Sequence, residues 1–580
     1  MDNQSVLSKN FHLSCSTEGV EIAQVFNESN VHTYQITIVN LQHQRDVLLE
    51  FRLPALNIMG VWKSNALLSK RLQADWELEH LNSRVSVDAP VVSVFTQHDD
   101  NFITFALSDA VNLATMNARI REEDGFIYGR IELLKEPVES GKNYSTQLRV
   151  DFRPLHFSQV LQETAHWWSE FYPPMHAPQS CYYPIYSTWY SYHQNLVPES
   201  LLAECSAAYE MGFRTIIVDD GWQTQDNSRG YDYTGDWEPQ RIPQMEEFVG
   251  QVHDLGMKFM MWYSVPFCGK KSAAYQDFKG KFLTENHRWA PVFDPRYPEV
   301  RSFLISKYLQ AVEQWSMDGL KLDFIDDFRV YPETDLNPHP DRDYNSVNKA
   351  VEQLLSEIVE ALQAVRPEIM IEFRQQYTGP AVRQFGNMFR AFDCPHDPVT
   401  NRVRTADIRL LGDQVAAHSD MLTWHYEESV ENVGVQLANS IFSVPQISVR
   451  LAEIPSEHAQ AIAYYTKYWL TNQQLLMKGQ FVARKPLLNY PLIEVSNTEK
   501  VIYGVYDSIV VGLASVPEID LINGSLNEFI AIKTSKAGCF DLRVMSCTGM
   551  VVTNTTLELL PGITEVAVPA AGMITLKAQT

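Results

Sequence analysis

The sequence predicts a three-part chain in which a central (β/α)₈ TIM barrel lies between an N-terminal and a C-terminal β-sandwich. Three observations predict it. The first is a change of period: polar–apolar alternation of period two at both ends, and in the middle unbroken apolar runs separated by helical patterns. The second is the number of those runs, eight in about 300 residues, which fits the ~250-residue barrel with some loop insertion. The third is length. At 580 residues the chain exceeds what one core accommodates, so two to four domains are expected.

Residues 1–155 read as an all-β domain. Stretches such as His32-Thr33-Tyr34-Gln35-Ile36-Thr37-Ile38-Val39 and Gln147-Leu148-Arg149-Val150-Asp151-Phe152 alternate and carry β-branched residues, as antiparallel strands with one solvated face do. Residues 156–180 connect to the barrel. There Trp167-Trp168 reads as packing between domains and Tyr172-Pro173-Pro174 as loop. Residues 181–485 hold the candidate barrel strands at 183–190, 215–222, 258–265, 319–325, 369–374, 388–393, 416–424 and 447–451. Helical spacing falls between them at 199–211, 245–255, 299–317 and 344–365. Apolar runs without alternation mark strands buried on both faces, as in parallel sheets. Residues 486–580 return to alternation, in Val501-Ile502-Tyr503-Gly504-Val505-Tyr506 and Phe529-Ile530-Ala531-Ile532, and read as an antiparallel β-sandwich. No Gly-x-Gly-x-x-Gly or Walker-type loop occurs, which counts against an open nucleotide-binding sheet.

Formal net charge is −24, with acidic residues spread along the chain rather than gathered in a tail. Nucleic acids and anionic membranes recruit positive surface, so the expected partner is a small molecule, neutral or cationic. The opening Met1-Asp2-Asn3-Gln4-Ser5 is polar, with no apolar signal core after it, and no run approaches the ~18 apolar residues of a membrane span. The seven cysteines are scattered without a Cys-x-x-Cys pair, which reads as free thiols in a reducing compartment. A soluble, cytoplasmic protein is expected.

A barrel presents the C-terminal ends of its strands to the active site. Here those ends read Trp189-Tyr190, Val218-Asp219-Asp220-Gly221-Trp222, Trp262-Tyr263, Lys321-Leu322-Asp323, Glu372-Phe373-Arg374 and Arg390-Ala391-Phe392-Asp393. Carboxylates accept paired hydrogen bonds from neighbouring hydroxyls, and aromatic rings cover the apolar face of a pyranose, so the set predicts a sugar site. Lys321 and Asp323 lie two apart on one strand and emerge on the same face, where a cation would keep Asp323 ionised for nucleophilic attack. An ordinary ion pair at a barrel rim explains the same pattern. Asp393 follows Phe389, Ala391 and Phe392, and partial desolvation there would hold it protonated as a general acid; Asp397, four residues on, is its rival. Asp326 and Asp327 read as solvated loop carboxylates, and His418 as a hydrogen-bonded structural histidine. The histidines lack metal-ligand spacing, and neither metal nor cofactor is expected.

With these motifs in place, the chain resembles glycoside hydrolase family 36. The resemblance rests on Thr188-Trp189-Tyr190-Ser191-Tyr192, Val218-Asp219-Asp220-Gly221-Trp222, Gly235-Asp236-Trp237 and Leu255-Gly256-Met257-Lys258-Phe259-Met260-Met261-Trp262. It continues in order and spacing through Phe293-Asp294-Pro295 and Pro298-Glu299-Val300-Arg301 to Gly319-Leu320-Lys321-Leu322-Asp323. It implies an N-terminal β-supersandwich, a catalytic barrel and a C-terminal β-domain, and release of terminal α-linked galactose by a retaining double displacement. By position, Asp323 would be the nucleophile, Asp393 the acid/base, and Asp219 and Asp220 ligands of galactose hydroxyls. Trp189 and Trp237 would line the subsite, with Lys321 beside the nucleophile; Trp222 and Trp262, from their strand ends, complete the candidate sugar contacts.

The chain also departs from the family. Many members carry Cys-Ser-Gly-Gly-Gly after the fifth strand and Ser-Asp-Asn-Thr-Asp around the acid/base. Here the stretches are Glu372-Phe373-Arg374-Gln375-Gln376-Tyr377 and Phe392-Asp393-Cys394-Pro395-His396-Asp397, so the second Asp lies one residue further on. Arg374 reads either as a contact to a ring hydroxyl or anionic substituent, or as a partner of Glu372 or Asp323. Asp219-Asp220-Gly221-Trp222-Gln223 also resembles the raffinose-synthase-like branch, where galactosyl transfer predominates. An α-N-acetylgalactosaminidase and a non-catalytic carbohydrate-binding barrel are the other readings. Many relatives assemble, so a homo-oligomer is compatible with the resemblance.

Overall fold

The computed structural model of the chain describes residues 7–39, 46–139, 141–374 and 379–579. Alternation builds the N-terminal part: in Val47–Pro54, residues Val47, Leu49, Phe51 and Leu53 are buried while Arg52 is exposed. One antiparallel sheet runs in the order Ser14–Cys15, Val47–Pro54, Phe126–Leu133, Ala114–Arg121 and Leu81–Ser83. The other runs Val20–Glu28, Val31–Ile38, Tyr144–Asp151, Asn101–Leu107, Val91–Thr96 and Ile58–Lys63, and the two share one core. The alternation does not hold in every strand. Val91–Thr96 and Asn101–Leu107 are buried on both faces, because the second face meets the helix Phe157–Trp168. Trp168 in that helix is fully buried and donates its indole N–H to the Leu107 carbonyl at 2.7 Å, which is the packing its sequence context suggested.

Eight parallel strands form the central barrel: Ile185–Ser187, Thr215–Val218, Lys258–Ser264, Gly319–Asp323, Met370–Arg374, Met388–Arg390, Ala416–His418 and Gln446–Ile447. The last pairs with the first, and backbone bonds from Val444 to Ala417 (2.8 Å) and from Leu422 to Gln446 (2.9 Å) close the ring between seventh and eighth. Seven of the predicted runs contain a strand and the eighth, 447–451, meets its strand Gln446–Ile447 only at Ile447; most strands end early because the polar residues that follow turn out into the mouth. Helices Pro198–Glu210, Met245–Asp254, Pro298–Trp315 and Val347–Val365 follow the first four strands as the periodicity predicted. Proline opens three helices at the first turn (Pro198, Pro298, Pro398), where a missing N–H costs nothing. Pro398–Leu411, Val430–Asn439 and Ser456–Lys478 complete the ring; among the described residues, the fifth strand is followed only by the 3₁₀ turn Val382–Gln384.

The C-terminal part pairs a seven-stranded sheet, beginning at Gln480–Arg484, with a three-stranded one. It is largely antiparallel, with two parallel pairs. The chain leaves Lys500–Val505, crosses to the small sheet as Val510–Gly512 and returns as Glu518–Asn523 in the original direction. One buried node ties the three parts together: the Trp62 indole N–H reaches Asp407 (3.1 Å) and the Tyr490 hydroxyl (3.0 Å), and Lys70 lies 3.4 Å from the same Asp407. No helix among the described residues is long and apolar enough to cross a membrane.

Candidate active site

After the second barrel strand the chain turns at Asp219-Asp220-Gly221. Gly221 has φ 116°, and a Cβ there would lie 2.6 Å from the Gln194 backbone, so only glycine fits. The turn buries both carboxylates. Asp219 accepts the Lys321 ammonium at 2.6 Å and the Asp220 N–H at 2.9 Å. Asp220 accepts the side-chain amides of Gln194 (2.8 Å) and Gln223 (2.7 Å), and burial pushes its carboxyl up to about 6.

Lys321 and Asp323 share a face, as their spacing required, but they do not pair. The ammonium serves Asp219, and the cation on Asp323 is Arg374, whose Nε lies 2.9 Å from Oδ1. For Asp323 the physical reason is reach: side chains two apart on a strand start ~6.6 Å from each other, while Arg374 stands on the adjacent strand ~4.8 Å away; Lys321 extends past the third strand to Asp219 at the end of the second. Asp323 also accepts the Trp262 indole N–H at 3.0 Å and the Phe324 N–H at 2.9 Å. Phe324 adopts the left-handed conformation (φ 65°), uncommon for an aromatic residue, and that turn aims its N–H back at the carboxylate. The Arg374 guanidinium lies between the rings of Phe324 and Phe392, at 4.6 and 4.7 Å, and reaches Asp326 at 3.5 Å.

Arg374 and Arg390 are register neighbours on the fifth and sixth strands, and two cations so placed need anions around them. Arg390 donates to Asp393 at 2.9 Å and to the wholly buried Asp420, with Glu372 3.6 Å from its Nε. Asp420 also takes the Tyr190 hydroxyl (3.0 Å) and the Cys394 N–H (2.7 Å), and burial pushes it up to about 6. The Asp393 side chain stays 36% exposed. Burial opposes its ionisation, but Arg390, Arg374 and Lys321 outweigh burial and hold the carboxyl at about 2. This corrects the expectation that apolar neighbours keep Asp393 protonated: the aromatic residues are there, and three cations weigh more. Asp397 is committed elsewhere. It caps the helix Pro398–Leu411, accepting the Thr400 N–H (2.9 Å) and hydroxyl (2.6 Å).

The predicted aromatic residues divide. Trp262 reaches Asp323, and Trp237 packs against Tyr263 with its indole N–H unpartnered. Trp189 is half-buried at the rim, with the Arg229 guanidinium 5.4 Å from its ring. Trp222 is fully buried, gives its N–H to the Trp262 carbonyl at 2.9 Å and meets Trp315 of the surrounding helix. It belongs to the barrel wall and not the mouth, a correction to its place among the sugar contacts. His418 is buried against the Cys181 carbonyl (2.8 Å) and Gln446 (3.2 Å), and burial lowers it to about 3, so it is neutral. Asp326 and Asp327 are not simple solvated carboxylates: the first pairs with Arg374, and burial pushes the second up to about 6.

Sequence reasoning passed over Arg390 and Asp420, although both left a signal. Arg390 stands three residues before Asp393, and Asp420 two residues past the seventh strand. Gln375, Gln376 and Tyr377 lie outside the described residues. Among those described, no group of three or more His, Cys, Asp or Glu is placed to hold a metal ion.

No protein-family model matches the chain. Two curated relatives are 1,4-alpha-glucan branching enzymes GlgB: that of Bacillus caldolyticus is 29% identical over 116 residues, 18% of this chain and 17% of the relative. That of Lactobacillus acidophilus is 27% identical over 161 residues, a quarter of each chain. The chain thus spans a quarter or less of the curated relatives it matches. Solved structures align along nearly its full length. An α-galactosidase from Lactobacillus brevis superposes with TM-score 0.65 at 12% identity, over 98% of this chain and 80% of that one. The GH36 α-galactosidase AgaA from Geobacillus stearothermophilus, as a variant bound to 1-deoxygalactonojirimycin, gives 0.65 at 14% identity over 97% and 82%. The galactosidase domain of the α-galactosidase–sucrose kinase AgaSK gives 0.63 at 12% identity over 98% and 85%. At these identities the likeness is one of fold, and it extends across all three parts of the chain.

Proposed function

We propose that this chain is a glycoside hydrolase that releases terminal α-linked galactose from small oligosaccharides or glycosides with retention of configuration. The observation that carries the reading is the pair formed by Asp323 and Asp393 at the ends of the fourth and sixth strands, held within one set of cations. Asp323 has the setting of a nucleophile: the Arg374 guanidinium, the Trp262 N–H and the Phe324 N–H converge on its carboxylate and fix its orientation. Asp393 is the more exposed carboxylate and so the one a leaving group can meet. Asp219 and Asp220, fixed by Lys321 and by two amides, offer acceptors to the hydroxyls of the sugar. The fold supports the sugar class: AgaA variants with the same architecture are seen with stachyose and with raffinose.

Bond cleavage then proceeds in two displacements. Asp323 attacks the anomeric carbon while protonated Asp393 gives its proton to the departing oxygen. The glycosyl ester is next hydrolysed by water that Asp393 deprotonates. The ionised resting state of Asp393 suits the second step. For the first, a bound sugar expels water from the exposed carboxyl, and the burial that already opposes ionisation increases.

The test is a panel of nitrophenyl α-glycosides with product anomers followed by NMR. Turnover of the α-galactoside, with α-galactose appearing first, is expected. Preference for the α-N-acetylgalactosaminide would reassign the substrate, and absence of turnover on every member would remove the hydrolase reading. Excess acceptor sugar separates transfer from hydrolysis, since both share the same intermediate.

A further inference from the structure

The outward face of the five-stranded N-terminal sheet carries a cavity of about 730 Å³ whose lining includes no barrel residue. Strand register explains its lining. Arg119, Tyr128 and Arg52 face one another across three neighbouring strands, and Asn117, Arg130 and Glu50 form the next row. Period-two alternation puts both rows on the side away from the sandwich core, where Phe51, Ala118 and Ile127 sit.

The arginines of this face are not alike. Arg130 is neutralised by Glu132 at 3.0 Å, and Arg121 by Glu123 and Asp124 at 3.5 and 3.7 Å. Arg119 is only 7% exposed, yet its terminal nitrogens donate to the backbone carbonyls of Asp75 (3.3 Å) and Glu79 (2.5 Å), and its Nε has no hydrogen-bond partner. The Arg52 guanidinium rests 5.2 Å above the Phe126 ring. Neither Arg119 nor Arg52 has an ion-pair partner among the described residues. A buried guanidinium bound only to neutral carbonyls retains its charge and an unspent donor, and such a group calls for an anion. The carboxylates of Glu50 and Asp75 also line the cavity and would repel a bare inorganic anion; interposed hydroxyls turn that repulsion into hydrogen bonds.

We propose that this cavity binds a small acidic sugar, a hydroxylated ring bearing a carboxylate or phosphate, with the anionic group between Arg119 and Arg52. The hydroxyls meet Glu50, Asp75 and the Asn117 amide. The two arginine strands are separated by one other, ~9.6 Å at the backbone, a span that two such long side chains bridge to hold one group. The site stands independently of the barrel reading.

Calorimetric titration of the whole protein tests it, with glucuronate, glucose 6-phosphate, inorganic phosphate and neutral glucose as separate arms. One acidic sugar is expected to saturate a single site about ten-fold or more tighter than glucose or inorganic phosphate. Which of the two binds identifies the anionic group. Arg52→Ala and Arg119→Met should each weaken that binding about ten-fold or more, with aryl α-galactoside turnover unchanged in Arg52→Ala. Arg52 is exposed, so Arg52→Ala decides the matter even where Arg119→Met fails to fold. The proposal is overturned by no acidic-sugar binding, by binding that ignores Arg52→Ala, or by equal affinity for glucose or for inorganic phosphate.

Discussion

Arg390 in the barrel and Arg119 on the N-terminal sheet are both buried guanidiniums, 1% and 7% exposed, and their charges are met in opposite ways. Arg390 is surrounded by the carboxylates of Asp393, Asp420 and Glu372, and stays firmly protonated in spite of its burial. Arg119 meets two backbone carbonyls, and burial lowers its pKa. A cation inside a closed set of anions fixes the protonation of its neighbours. A cation held by neutral groups keeps its charge available to a ligand. On the proposed reading, the first arrangement prepares Asp393 for chemistry in the barrel, and the second prepares a receptor on the sheet.

The largest expected effect lies on the barrel side. Asp323→Asn should lower turnover of an aryl α-galactoside by ~10⁴-fold or more, measured as initial rates, because no other carboxylate can form the covalent intermediate. Near-parental turnover would remove Asp323 from the mechanism. Next comes stability. Arg390→Met leaves buried anions without their cation and should cost ~3–5 kcal/mol in denaturant unfolding. Arg119→Met strands only carbonyls and should cost ~1–3 kcal/mol. Equal costs would break the comparison. Asp393→Ala should reduce turnover ~10²-fold or more on alkyl galactosides and much less on nitrophenyl ones, since a good leaving group needs no proton. Azide should restore the rate and yield a galactosyl azide of the substrate's configuration; loss independent of the leaving group would count against the acid/base role.

Much of this was legible beforehand, and the gaps have physical causes. Period-two alternation and unbroken apolar runs located both β-parts and all eight barrel strands, because burial imposes those patterns directly. The strand-end residues were also legible, since a parallel barrel exposes only one end of each strand to chemistry. Partnerships were not. Lys321 was paired by sequence spacing with Asp323, whereas the closed sheet brings Asp219 to it across strands. Arg390 and Asp420 stood at strand ends in the sequence, but their pairing joins the sixth strand to the turn after the seventh, 30 residues on, and no local pattern reports such a partnership. Trp222 looked like Trp262 in sequence, and only the side chain's direction separates wall from mouth.

The smallest predicted effect sits where the two regions meet. Asp88 is the mirror image of Arg119, a carboxylate 7% exposed that burial pushes up to about 7 against the pull of the Ser64 hydroxyl and Arg84. Its turn touches the barrel directly: Arg84 donates to the Asp326 carbonyl at 3.0 Å, and a Cβ on Gly379 would come within 2.5 Å of the Asp88 carbonyl. The folded state therefore binds a proton that the unfolded chain, with its ordinary carboxyl near 3.8, has released. Asp88 then stabilises the fold fully below that unfolded value, and its contribution is lost as pH rises through about 7. Asp88→Asn keeps the left-handed backbone (φ 56°), which asparagine tolerates, and cannot ionise. The stability of the variant relative to the parent should rise by ~1 kcal/mol or more between pH 5 and pH 8. Asp220, Asp327 and Asp420 also titrate near 6, so the signal is the difference between the two unfolding curves and not the slope of either. Parallel curves would mean that Asp88 is already ionised against Arg84, and that the junction follows the barrel's rule of matched charges.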